Sequence, residues 1–240
     1  MPLLSPIKRY LIVQLDYDKR IRRALLRLAT IVRVIAKGKI YSPYNQLRQL
    51  LYVQHNFLTV EIEPIIRSGV LASRLAAFTY VQHVLRGAFD PRLADFLDKH
   101  YSSLLTSPSI YMGNTWARIH KANSSVFLAP PSIISLSQRL HDSLNPTIPG
   151  GASWPVINFT RAKMSEEFRE EQIKLADPLW TKSMKWQLSD DHPEKDECNV
   201  LASSDHYDLG KGIYPLKLIP PRPHYGCLCY ITYLINKDLF

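Results

Sequence analysis

The sequence predicts an α+β protein. A mainly helical N-terminal region spans residues 1–130, and residues 131–240 form a C-terminal domain built around a small α+β module with a Cys/His cluster. Three observations predict this. Apolar residues recur at helical spacing through most of the first hundred positions. Runs rich in strand formers occur only after Pro178. All three cysteines, Cys198, Cys227 and Cys229, fall in the last quarter of the chain.

The first helix is read over residues 18–37. Ile21, Leu25, Leu28, Val32 and Ile35 share one stripe at 3.6 residues per turn, while Lys19, Arg20, Arg22, Arg23, Arg27, Arg33 and Lys37 lie largely outside it. Asp16 and Asp18 stand where a carboxylate caps a helix start, and Gly38 is a natural stop. Helical periodicity runs on over 44–67, with a break or kink expected at Glu63-Pro64. It resumes over 70–86 through Leu71, Leu75, Phe78, Val81 and Val84. It returns over 91–104, with Asp90 as N-cap and Pro91 at the first helical position.

Residues 106–133 mix Ser, Pro, Asn and Gly with aromatics, which reads as loop and as the domain boundary. A short helix follows over 132–143, then a turn-rich connector over 145–155. A heavily charged helix is read over 160–175, with Glu166, Glu167, Glu170 and Glu171 as a solvated face. Residues 184–188 alternate, and residues 230–235 are rich in strand formers.

Composition narrows the class. Hydrophobic residues at 46% and charged residues at 21% are ordinary for a folded globular chain. The net charge of +9 is unevenly placed. Residues 1–130 carry 18 Lys and Arg against 7 Asp and Glu, whereas residues 131–240 carry 12 against 14. A basic end of this kind suits nucleic acid, an anionic membrane surface or an acidic protein partner. An odd cysteine count gives no paired disulfide framework, and the proline-broken start is too short for an apolar signal core. No apolar run is long enough to span a bilayer, so the expected setting is a reducing cytoplasm. No phosphate-cradling glycine loop, nucleophile elbow or His-Glu-x-x-His motif is present.

The informative stretch is C-terminal. It runs through Trp186-Gln187-Leu188-Ser189, Asp196-Glu197-Cys198-Asn199 and Gly210-Lys211-Gly212-Ile213-Tyr214-Pro215. It closes with Pro220-Pro221-Arg222-Pro223-His224-Tyr225-Gly226-Cys227-Leu228-Cys229. In order and spacing these pieces resemble the C-terminal signature of phage minor head proteins, the Mu F-like head-morphogenesis family. The resemblance covers roughly the last hundred residues and is most specific over the final 45 to 55. Residues 1–130 match only as a helical region. Two departures stand out. Arg161-Ala162-Lys163 replaces the family's usual Arg-Thr-Glu, and Val200 and Leu201 follow where many relatives carry an additional cysteine.

Chemically, Cys227 and Cys229 are two apart at the start of a strand, so both side chains can face one side. His224 lies one turn earlier. Cys198 sits at a helix start behind Asp196, where a thiolate is favoured. Cys198, His224, Cys227 and Cys229 make a Cys₃His set sufficient for one structural zinc ion, with His192 as an alternative ligand. A packed, metal-free cysteine cluster is the competing reading. His192, Asn199 and His206 invite a nuclease reading with His192 as general base, but their spacing does not reproduce that motif.

The resemblance implies a structural, non-enzymatic virion protein made in the host cytoplasm and resident in the phage head. Its partners would be the portal or major capsid protein, other copies of itself and packaged double-stranded DNA, with no membrane. Arg20, Arg23 and Arg27, at helical spacing, are the candidate contacts to DNA phosphates or to an acidic partner. An ordinary surface helix is the competing reading of that segment. A metal-dependent nuclease or other effector on the same scaffold, and a non-specific DNA-binding accessory protein, are the alternatives for the whole chain.

Overall fold

The computed structural model describes residues 6–38, 42–86, 91–104, 110–189, 192, 195–224, 227 and 229–237. Among these it shows an α+β architecture of helices with one small antiparallel sheet near the C-terminus.

Helix α1 (Pro6–Lys37) begins twelve residues before the expected start. Tyr10, Gln14, Tyr17 and Ile21 are buried at three- and four-residue spacing, so the buried stripe extends upstream through residues that are not all aliphatic. Asp16 and Asp18 therefore lie inside the helix and do not cap it. Asp16 pairs with Arg20 one turn on. Asp18 is nearly buried and accepts from Arg22 and from both Nε and Nη2 of Arg161. The helix stops at Gly38 as expected. There the Gln46 amide donates to the carbonyls of Ile35, Ala36 and Gly38 at the helix's C-terminal end.

The expected disturbance at Glu63-Pro64 is one π-helical turn, Leu58–Ile62, between α2 (Pro43–Phe57) and α3 (Glu63–Val84). Pro64 offers no N–H to the turn before it and its ring crowds the carbonyl there; a wider turn relieves both. Helix α4 (Pro91–Leu104) has the expected bounds, though its expected cap, Asp90, lies outside the described residues.

The expected loop over 106–133 is corrected. Residues Gly113–Leu128 form a helix, α5, that buries Thr115, Trp116, Ile119 and Asn123 on one face. Ser and Asn composition misleads here because Asn123 is buried and hydrogen-bonded, donating to Gln54 Oε1 at 2.9 Å. Helix α6 (Leu136–Leu144) follows, with the Ser135 hydroxyl accepting from the Gln138 amide. Helix α7 (Trp154–Leu175) ends where expected and starts six residues early.

The chain forms two compact units interleaved in sequence. One comprises residues 13–69 and 108–161, the other residues 1–12, 70–107 and 162–240. The sequence-based division was sequential, at 130/131. The buried residues of the first unit include Ile21, Leu25, Leu28, Val32, Leu50, Ile62, Ile119 and Leu140. The second unit has its own core, in which Phe78, Val81 and Leu93 pack with Leu175, Trp180, Met184, Trp186, Ile231 and Tyr233.

The sheet lies in this second unit. Strand β1 (Thr181–Gln187) is central, flanked by β2 (Ile213–Pro215) and β3 (Tyr230–Ile235), both antiparallel to it. Helix α8 (Glu197–Ser203) stands between β1 and β2 in the chain. Gly212 closes the β2 turn with φ +70°, donates to Ser204 O and accepts from the Trp186 amide. A Cβ there would lie 2.7 Å from the Ala202 carbonyl oxygen. Gly150, with φ +76°, has open space around it. Gly212→Ala is therefore expected to cost about 2–3 kcal/mol and to lower the thermal midpoint by roughly 4–10 °C, clearly more than Gly150→Ala. Equal losses in calorimetry would remove the steric argument and leave only the backbone one.

Candidate metal centre

The site assembles where three local structures meet. Asp196 is extended and caps α8: its carboxylate accepts from the Cys198 amide at 2.7 Å, and the Asn199 side chain accepts from the Asp196 amide at 3.0 Å. This reciprocal cap fixes the first turn and sets Cys198 on it, fully buried. The segment after β1 supplies His192, and the approach to β3 supplies His224, Cys227 and Cys229. Both of those cysteines are buried, and all three are free thiols.

The side chains named from the sequence come together. Cys198 Sγ lies 3.3 Å from Cys227 Sγ and 3.3 Å from His224 Nε2. Cys229 Sγ lies 3.3 Å from His192 Nδ1. His192, Cys198 and Cys229 form one group of ligand atoms within 4.8 Å of one another, and Cys198, His224 and Cys227 form another. The cluster can hold a metal ion, and Cys198 belongs to both groups.

The two histidines differ in how they are held. The His192 side chain is 7% exposed, against 38% for His224. His192 turns Nδ1 to the Cys229 sulfur while Nε2 faces Asp196 Oδ1 at 3.0 Å and Asn199 Oδ1 at 2.9 Å. A metal-binding imidazole is commonly oriented in this way, through a carboxylate on its other nitrogen. His224 instead directs the same Nε2 to both Cys198 Sγ and Asp196 Oδ2, the latter at 2.9 Å.

The electrostatics correct one expectation. Burial, then the neighbouring Cys227 and Cys229 sulfurs, push the Cys198 thiol far above the usual range. Its place at a helix start does not outweigh this, because α8 is only about two turns long. Burial also pushes Cys229 up. Without a cation, burial thus favours the protonated thiol at Cys198 and Cys229. Asp196 is shifted the other way: against the desolvation of its setting, the Cys198 amide and the two imidazoles hold its carboxyl below the ordinary range.

Two residues beside the cluster, Ser165 and Arg169, have no local signal in the sequence. The Ser165 hydroxyl donates to the Cys227 carbonyl and accepts from Arg222 Nη2. The Arg169 guanidinium lies over the Trp186 ring, 4.5 Å from its centroid, and donates to the Pro220 carbonyl. Arg169, Arg222 and His224 also line a cleft of about 610 Å³ beside α7. The hydrogen bonds among them join positions 51 to 62 residues apart, which no short motif records.

Other expected residues fall elsewhere. The glutamate face on α7 is corrected: Glu166 and Glu170 are exposed, but Glu167 and Glu171 are buried. Burial works to raise Glu167, yet Arg74 at 2.7 Å and Lys163 at 3.1 Å hold its carboxyl below the usual range. Of the nuclease trio, His192 and Asn199 meet, whereas His206 lies with Tyr207 and Tyr214. Arg20, Arg23 and Arg27 are exposed on α1. Arg20 pairs with Asp16, and Arg27 stands 3.5 Å from Glu61.

Among the described residues, no helix is long and apolar enough to cross a membrane. No protein-family model matches the chain, and neither a curated protein nor a solved structure matches it.

Proposed function

We propose that this chain is a structural minor head protein of a tailed phage, with a C-terminal module stapled by one zinc ion. The observation that carries the reading is the convergence of the Cys/His residues. Cys198, His224, Cys227 and Cys229, which lie in the stretches that carry the resemblance, gather with His192 into two groups that share Cys198 beside the α8 cap, with all three cysteines buried. Soft thiolates with imidazole suit zinc, and tetrahedral zinc with Zn–S of about 2.3 Å places sulfurs roughly 3.8 Å apart. The Cys198–Cys227 separation of 3.3 Å needs to open by only about half an ångström. Cys198, Cys227, Cys229 and one histidine close all four positions, the arrangement of a structural site. His192 is the favoured fourth ligand because its burial and its Asp196 contact already fix its orientation. With Nε2 held by Asp196 and Nδ1 on the Cys229 sulfur, neither ring nitrogen is left for a general-base role.

Such a staple would tie the start of α8 to the start of β3 in a module whose β2 strand is only three residues long. The resemblance supplies the setting: a virion location, contact with the portal or major capsid protein and with other copies of itself, and packaged DNA within reach. Mass spectrometry with cross-linking on purified virions tests this reading. The chain is expected in the particle, cross-linked to portal or capsid, and its absence overturns the proposal.

DNA contact is assigned to the exposed arginines of α1. Their surface ion pairs are weak and exchangeable for phosphate. Replacing Arg20, Arg23 and Arg27 together by alanine is expected to flatten the slope of log affinity against log salt by about 2–3. An unchanged slope in a filter-binding series would remove these residues from DNA contact.

A further inference from the structure

Arg169 is a buried cation with no evident anion. It is 5% exposed, and its Nη1 is buried without a hydrogen-bond partner. Among the described residues no carboxylate forms an ion pair with it. Glu166, one turn away, is taken by Lys163, and Glu170 is exposed. Nor is it alone, since Arg222 is near enough to repel it. Arg222 reaches the Cys227 carbonyl through Ser165, and Arg169 lies over Trp186, which packs in the same core as Cys198, Cys227 and Cys229. Burying an unpaired charge is strongly unfavourable, so a compensating negative charge is required nearby.

The cysteines can supply it. Burial pushes Arg169 down to about 10, with Arg222 acting in the same direction, and the groups that oppose this are the Cys227 and Cys198 sulfurs. Charge counting then selects a ligand set. A divalent cation with three thiolates and one neutral imidazole carries −1, and together with the Asp196 carboxylate this matches the two guanidinium groups of Arg169 and Arg222. A divalent cation with two thiolates and two imidazoles is neutral and leaves one guanidinium uncompensated.

We infer that Arg169 is the built-in counter-cation of a three-thiolate metal site, a positioning residue that sets how tightly the metal is held. The inference rests on the zinc reading above and makes it more specific: Cys198, Cys227 and Cys229 all bind as thiolates, with a single histidine. Trp186 holds the guanidinium plane from one face and the Pro220 carbonyl fixes its edge.

The test is a competition titration of the full chain with zinc and a chromophoric chelator. Arg169→Met keeps the aliphatic stem and removes the charge; it is expected to weaken zinc binding about tenfold. Arg169→Lys keeps the charge and is expected to stay within about threefold of the parent. Parental affinity in a natively folded Arg169→Met protein overturns the inference, as does equal weakening in both variants. Cobalt substitution of the parent protein needs no variant. Charge-transfer absorption of the strength given by three thiolates supports the inference, and that of two overturns it. A parent chain that binds neither zinc nor cobalt overturns the zinc reading itself, a separate and recognisable outcome.

Discussion

Cys198→Ser is expected to leave the chain without stoichiometric zinc, and to destabilise it more than any other ligand substitution. Cys198 is fully buried and is the one ligand shared by both groups of donor atoms. Its replacement leaves at most two sulfurs, and a hydroxyl is a poor zinc ligand. The parent is expected to hold about one zinc per chain. With free zinc 100- to 1000-fold above Kd, binding contributes about 3–4 kcal/mol, so loss of the ion lowers the thermal midpoint by roughly 6–16 °C. A chelator added to the parent should reproduce the same shift. His192→Ala should approach the effect, whereas His224→Ala should fall well short, because His224 is more exposed and its Nε2 already faces Asp196. Metal analysis and calorimetry on the three variants decide the matter. One zinc retained by Cys198→Ser would sink the site as drawn.

The fold was legible where burial follows a simple period. Residues 91–104 and 230–235 emerge with the expected bounds because each combines a clear apolar pattern with a local signal, proline at the first helical position in one and strand formers in the other. Helix α5 was not legible. Its buried face includes Thr115 and Asn123, and Asn123 donates to a residue almost seventy positions away, Gln54. The first three turns of α1 carry no clean apolar period for a similar reason, since Gln14 occupies a buried position there and finds its partner on α7 at the Arg161 carbonyl. Buried polar residues with distant partners erase the periodic signal that a single sequence offers.

The candidate site was more legible than the fold around it. Cysteines are few, so Cys198, Cys227, Cys229 and the nearby histidines could be named without knowing the path of the chain. What spacing could not give was the ranking of the histidines. Distance along the chain favours His224, three residues before Cys227, whereas Asp196 turns His192 toward Cys229 from 37 residues away. Nor could spacing distinguish Glu167 from Glu166, neighbours on α7 of which one is buried against Arg74 and the other is exposed.

Trp186 joins core and site, and its truncation is the second large effect expected. The residue is 1% exposed, sits opposite Ile231 across β1 and β3, and carries Arg169 on its ring. Trp186→Ala removes the bicyclic ring from a close-packed core, at about 3–5 kcal/mol, and takes away a desolvated cation–π contact of about 2 kcal/mol. The two overlap, so a total of roughly 4–6 kcal/mol is expected, enough to unfold much of the protein at 37 °C. Trp186→Phe is the informative companion. The indole N–H is buried without a partner, so phenylalanine discards an unsatisfied donor while keeping an aromatic face for Arg169. A loss of only about 1–2 kcal/mol is expected, with zinc affinity close to the parent. If Trp186→Phe proved as damaging as Trp186→Ala in denaturant titrations, the indole nitrogen would have to be bonded after all, and the platform assigned to Arg169 would need another support.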